Sequence, residues 1–280
     1  MIAARAQVFT DPKGWQAGLR LGFRAGPDST VLAERQRHGP LAVQRPFYPE
    51  GGVCHVYLLH PPGGVVGGDV LGIDVKLAQG AQALITTPGA TKFYRSAGAL
   101  ARQTQRIQVE PGAAIEWLPQ ENIFFPGAEV ELDTRVDLQG DARLVLWEIQ
   151  CLGRPVIGEG FDRGHIDSRL SVFRDGRPVV LERLRVDPDN RTRLSLMAGK
   201  AVTASLLISN AGEAEITACR DLLFNGAPDY AGASLMEDLL VVRYLGDSTE
   251  RARRLFGDIW QALRTRTLGR PSGVPRIWAT

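Results

Sequence analysis

Along most of this chain the apolar residues recur at every second position. A chain patterned that way can bury one face and satisfy its backbone only as β-sheet. Leu19, Leu21 and Phe23 alternate with Arg20, Gly22 and Arg24, and Leu71, Ile73, Val75 and Leu77 with Gly72, Asp74 and Lys76. Ile107 and Val109 follow polar Gln103 and Gln105 on one face; Val145, Trp147, Ile149 and Cys151 share another, with Glu148 and Gln150 opposite. Turn chemistry punctuates these runs at Gln79-Gly80, Pro111-Gly112, Gln139-Gly140-Asp141, Asp175-Gly176 and Ala211-Gly212. Asp175-Gly176 is the clearest hairpin signal, because a type I′ turn needs positive φ at both central residues. The pattern predicts stacked sheets or a solenoid-like β fold. No fixed-period repeat supports a regular propeller or parallel β-helix.

The period changes to helical only in the C-terminal third. Ile216, Cys219, Leu222 and Leu223 predict a helix ending at Asn225-Gly226, and Leu239 to Leu245 an apolar strand. Asp247 is read as the cap of a second helix, with Glu250 in its first turn and an apolar stripe of Ala252, Leu255, Phe256, Ile259, Trp260 and Leu263. No linker or low-complexity stretch divides the 280 residues, so one domain over 1–280 is expected. A net charge of +2 provides no field for nucleic acid. Cys54, Cys151 and Cys219 are odd in number and scattered, which excludes a disulfide framework or a cysteine-rich zinc module. Met1-Ile2-Ala3-Ala4-Arg5 does not read as a secretory leader. The longest uncharged run, Gly51 to Gly68, carries six glycines and two prolines and does not read as a bilayer span. The expectation is a soluble cytoplasmic protein with no membrane association.

The most unusual segment is His60-Pro61-Pro62-Gly63-Gly64-Val65-Val66-Gly67-Gly68-Asp69. Four glycines in six residues permit close backbone approaches. No Lys-Ser or Lys-Thr follows and the next segment is a strand, so neither a P-loop nor a dinucleotide fingerprint fits. The plain reading is a tight turn between strands Val53–Leu59 and Val70–Leu77, with Asp69 capping it. No Gly-x-Ser-x-Gly elbow is present, and Ser96 and Ser168 have no evident base. The four histidines share no local ligand motif. Thr86 to Arg95 is a polar loop rich in donors. Glu148 stands mid-strand among aliphatic residues, where a carboxylate is costly unless paired or facing water. Two readings stay open for it: an ion pair with Arg154 or Arg183, or a carboxylate lining a polar cavity.

Several blocks, in order, carry a resemblance to a known family: Val43-Gln44-Arg45-Pro46-Phe47-Tyr48-Pro49-Glu50, Leu58 to Asp69, Pro88 to Ser96, Glu116-Trp117-Leu118-Pro119-Gln120-Glu121, Leu152-Gly153-Arg154-Pro155 with Gly158-Glu159, and Pro275 to Thr280. The chain resembles the urease accessory proteins called UreD (UreH in some species). The resemblance implies a mainly β fold of two stacked, helically arranged sheets with about two α-helices, and a non-catalytic scaffold in nickel insertion. The implied partners are UreF, the GTPase UreG and urease apoprotein, with no permanently bound cofactor and nickel(II) held transiently. It further implies Asp69, Glu148 and Glu182 as the lining of a nickel passage, with Thr87 nearby. Ile277 and Trp278, apolar residues at the chain end, are the expected partner contacts. The competing reading is a metal-dependent hydrolase using His60, Asp69 and Glu148. A carbohydrate-binding β protein ranks below both, since the aromatic residues sit mostly in apolar strands.

Overall fold

The computed structural model describes residues 14–226, 230–271 and 273–279, so the Met1–Arg5 segment and Thr280 lie outside it. The strands are β1 (Gln16–Ala25), β2 (Thr30–His38), β3 (Ala42–Val43), β4 (Cys54–Leu59), β5 (Val70–Leu77), β6 (Gln82–Thr86), β7 (Thr91–Phe93), β8 (Ala101–Val109) and β9 (Ala114–Leu118). They continue as β10 (Asn122–Phe124), β11 (Glu129–Leu138), β12 (Arg143–Leu152), β13 (His165–Arg174), β14 (Arg177–Val186), β15 (Val202–Ile208), β16 (Tyr230–Met236) and β17 (Leu239–Gly246). Two helices, α1 (Glu213–Gly226) and α2 (Thr249–Leu268), lie where the 3.6-residue period begins. The fold is mainly β, as the alternation requires.

From β4 to β13 the chain passes back and forth between two sheets. The seven-stranded sheet runs β14-β13-β11-β8-β5-β1-β2, and the spine of the ten-stranded sheet runs β16-β17-β15-β12-β9-β6-β4-β3. Each coil adds one strand to the spine of each sheet in the same direction, so β5, β8, β11 and β13 pair parallel, as do β4, β6, β9 and β12, while β7 and β10 pair beside β12. The His60–Asp69 segment joins β4 to β5, as the sequence reading had it. The segment crosses from one sheet to the other. The Gly-rich turns stack: Gly80 N–H donates to the Pro111 carbonyl at 3.2 Å, Gly112 N–H to Asp141 Oδ1 at 2.7 Å, and Gly140 N–H to Asp175 Oδ1 at 2.9 Å. The coil is solenoidal, but its coils differ in length, so no fixed period shows in the sequence. Asp175-Gly176 does form the β13–β14 hairpin, with φ of 50° and 77°.

The core splits between the two faces of the ten-stranded sheet. Between the sheets lie Leu21, Val75, Ile107, Val136, Leu144 and Leu146. On the outer face Val145, Trp147 and Ile149 meet the stripe of α2, where Phe256, Ile259, Trp260 and Leu263 are fully buried. Burying each of these large side chains contributes about 1.5–3 kcal/mol. The cap of α2 differs from the sequence reading. Ser248 Oγ accepts from the Arg251 N–H, while Asp247 binds the Lys200 ammonium and the Ala201 N–H. A hydroxyl at Ncap reaches the third helical N–H, which leaves the preceding carboxylate free to pair elsewhere. Among the described residues no helix is long and apolar enough to cross a membrane.

Candidate functional site

Polar residues interrupt the apolar interior along one transverse row. On the seven-stranded sheet Gln105, Thr134, Leu170 and Glu182 are successive cross-strand neighbours. On the facing sheet Glu148, Ser205 and Arg243 are in register in the same way. Side chains bridge the two rows. Thr134 Oγ1 donates to Glu148 Oε1 at 2.6 Å, and Ser205 Oγ donates to Glu182 Oε2 at 3.0 Å. The Arg243 guanidinium closes onto Glu182 Oε1, with Nε at 3.1 Å.

This belt joins two cavities. One, of about 230 Å³, is lined by His60, Thr87, Gln105, Trp117, Asn122 and Glu148, among others. The other, of about 280 Å³, is lined by Glu148, Ser168, Glu182, Ser205 and Arg243. Glu148 borders both. In the first cavity His60 Nε2, Gln105 Oε1 and Trp117 Nε1 are buried and have no hydrogen-bond partner among the described residues. The cavity is large enough for water, and these polar atoms are the kind that water ordinarily meets. Burial pushes the His60 imidazole down, with the Asp69 carboxylate acting in the opposite direction.

Glu148 carries the unusual electrostatics. Burial pushes its carboxyl up to about 7, the Thr134 hydroxyl works against that, and nearby Glu182 adds to it. The sequence offered Arg154 or Arg183 as ion-pair partners, and the structure corrects both. Arg154 is bidentate on Glu159, and Arg183 pairs with Asp167. The strand alternation was right about direction. Glu148 faces the space between the sheets, while Trp147 and Ile149 face α2.

The three carboxylates that the resemblance implies as passage lining lie in two places. Glu148 and Glu182 share a cavity, but Asp69 is buried at the sheet crossing, where Oδ1 accepts from the Trp15 N–H at 2.7 Å and Oδ2 from the Val66 N–H at 2.9 Å. That is the turn-capping role the sequence also allowed. Among the described residues no group of three or more His, Cys, Asp or Glu side chains is placed to hold a metal ion. The hydrolase constellation of His60, Asp69 and Glu148 is therefore not assembled, because Asp69 is committed to backbone N–H groups. Ile277 and Trp278 are half-buried rather than free at a chain end. Trp278 stands 5.3 Å from the Trp147 ring and 5.7 Å from that of Trp260, and its Nε1–H donates to Thr86 Oγ1 at 2.9 Å.

Sequence reasoning missed Thr134, Ser205 and Arg243. The available signal was a polar residue at an inward position of an alternating strand, the same signal that Gln103 and Gln105 gave. It also missed a buried ion cluster on the other face of the sheet. Glu116, fully buried, accepts from Arg264 Nε and Nη2 at 2.9 Å, from Arg270 Nη1 at 2.7 Å and from Trp260 Nε1 at 2.7 Å. Arg264 also holds Glu50. Burial alone would raise the Glu50 carboxyl, but His55 and Arg264 outweigh it and hold it down at about 2. His55 Nε2 stands 3.7 Å from Glu50, beyond hydrogen-bond length, so Arg264 is the stronger partner.

Comparison with known proteins agrees over this whole architecture. The family model for UreD urease accessory protein matches residues 16–279. A urease accessory protein UreD of Klebsiella aerogenes is 49% identical over 270 residues, covering 96% of this chain and 98% of the relative. One from Alcanivorax borkumensis is 47% identical over 274 residues, covering 96% and 93%, and one from Pseudomonas putida is 46% identical over 280 residues, covering both chains fully. With a match of that extent and identity, this chain belongs to the UreD urease accessory protein family.

Proposed function

We propose that this chain acts in urease maturation as a non-catalytic scaffold, and that its polar belt passes nickel(II), as cargo, between the two cavities. On this reading it works with UreF and the GTPase UreG and docks on urease apoprotein, so nucleotide chemistry resides in a partner. The carrying observation is that Glu148 borders both cavities and, among the described residues, is met by Thr134 and Gln150 rather than by a cation. A borderline cation such as nickel(II) accepts carboxylate, imidazole and water ligands. A conduit must bind weakly enough to release, and spaced carboxylates with water suit that better than a closed multidentate cage. Glu148 and Glu182 supply the carboxylates and His60 an imidazole in the first cavity. Asp69 serves by holding the crossing that forms the cavity wall. The test is urease activation with purified partners and nickel. Glu148→Ala and Glu182→Ala should lower nickel loading of urease at least about tenfold while the complex with UreF and UreG still assembles. Normal activation by both variants would remove the passage.

A further inference from the structure

One surface loop displays apolar residues that the fold itself does not use. Residues 154–159 turn on themselves: the Arg154 N–H donates to the Glu159 carbonyl at 2.8 Å and the Glu159 N–H to the Arg154 carbonyl at 3.2 Å. Inside, Ile157 N–H reaches the Arg154 carbonyl at 3.1 Å and Gly158 N–H the Pro155 carbonyl at 3.0 Å, forming a short 3-10 turn. The Arg154 guanidinium is bidentate on Glu159 and lies 4.8 Å over the Phe125 ring. Gly153, at φ 77°, lets the backbone run so close to the Glu159 carbonyl that a Cβ would collide with it. The ends and the base of the loop are thus fixed. At its tip Val156 is 97% exposed and Ile157 65% exposed.

Singly exposed aliphatic residues are ordinary, but two adjacent ones on a rigid, doubly closed turn are prepaid for binding. The apolar surface continues from Arg154 through Phe125 to half-exposed Tyr94, whose ring lies 4.9 Å from that of Phe125. Arg95 and Arg163 flank Gly127 beside Phe125, and Arg191 stands 3.9 Å from where a Cβ on Gly160 would be. These arginines and Arg154 stand against Glu159 and Asp162 at the base of the loop, an excess of positive charge.

We propose that the 154–159 loop is a preformed knob that seats Val156 and Ile157 in an apolar, acid-rimmed pocket of a protein partner. The inference rests on the reading that this chain works within a urease maturation complex, and it locates one contact of that complex. A mixed-sign rim with an arginine already paired to Glu159 suits a protein pocket better than a lipid surface, which needs an unpaired basic rim.

The experiment uses the full chain with purified urease apoprotein, UreF and UreG, and reads affinity for each by biolayer interferometry. The double variant Val156→Asp with Ile157→Asp should weaken binding to one of them on the order of tenfold or more. Its melting temperature should match the parent, because both side chains are exposed. Arg163→Glu should weaken the same partner and flatten the salt dependence. Unchanged affinity of the double variant for all three proteins would overturn the knob. So would binding of the parent to phosphatidylglycerol vesicles that the double variant loses, since that assigns the tip to membrane. Should the double variant bind normally while Glu148→Ala blocks nickel loading, the knob fails and the passage stands. The reverse outcome sinks the passage alone.

Discussion

Glu116 and Glu148 lie on neighbouring parallel strands of the same sheet, β9 and β12, and face opposite sides of it. Glu116 points at α2 and is surrounded by two guanidinium groups and an indole N–H. Glu148 points between the sheets and meets a threonine hydroxyl, a distant Gln150 amide and the like charge of Glu182. Both carboxylates are costly in an apolar setting, and they are stabilised in different ways. Glu116 is bound by two fixed guanidinium groups, which ties α2 and the segment after it to the sheet. Glu148 is left near its protonation midpoint beside water-sized space. A carboxylate that already has its cations is part of the frame, and one without them remains available to a passing cation.

The largest effect should come from breaking the first arrangement. Arg264→Ala removes the main partner of both Glu116 and Glu50 and should cost about 3–5 kcal/mol in urea unfolding. A loss below about 1 kcal/mol would mean that Glu116 is no more structural than Glu148. The second carboxylate should respond in the opposite direction. Because folding raises the Glu148 carboxyl from its ordinary 4.5 to about 7, its contribution to stability is full below pH 4.5 and is lost as pH rises through 7. Glu148→Gln carries no such loss, so relative to the parent it should gain about 2 kcal/mol between about pH 5 and about pH 8. Thermal melts across that range that run parallel for the two proteins would break the comparison. The smallest effect is at the outer end of the belt. Arg243→Gln, at a half-exposed ion pair with Glu182, should change stability by less than about 1 kcal/mol. If nickel loading rises in that variant, Arg243 competes with the cargo for Glu182; if melting falls by several degrees, the pair belongs with the Glu116 cluster instead.

How far these sites could be read from the sequence follows from how far apart their parts lie. The inward direction of Glu148 was legible from the alternation around Trp147, because a strand's two faces are a local property. Its partner was not. Thr134 sits on the other sheet, and the nearby arginines that looked suitable, Arg154 and Arg183, are claimed by Glu159 and Asp167. The α2 stripe was legible as far as Leu263, and Arg264 continues it, a charged residue on an apolar face that signals a buried partner. That partner, Glu116, is 148 positions away in a strand otherwise fully buried and apolar. Trp278 reads from the sequence only as an apolar residue near the chain end, because nothing local shows that Trp147 and Trp260 pack against it.

The sequence by itself determined the kinds of element, the hairpin at Asp175-Gly176, the amphipathic helices and the family, since periodicity, turn residues and ordered blocks are encoded over short spans. Only the tertiary structure decided that consecutive strands alternate between two sheets, that Glu148 rather than Asp69 joins two cavities, and that Glu116 is the paired carboxylate. Those outcomes depend on which residues distant in the chain are brought within hydrogen-bond reach when the two sheets close over one another. Free energies of burial and pairing are set by that closure, and no stretch of local sequence contains it.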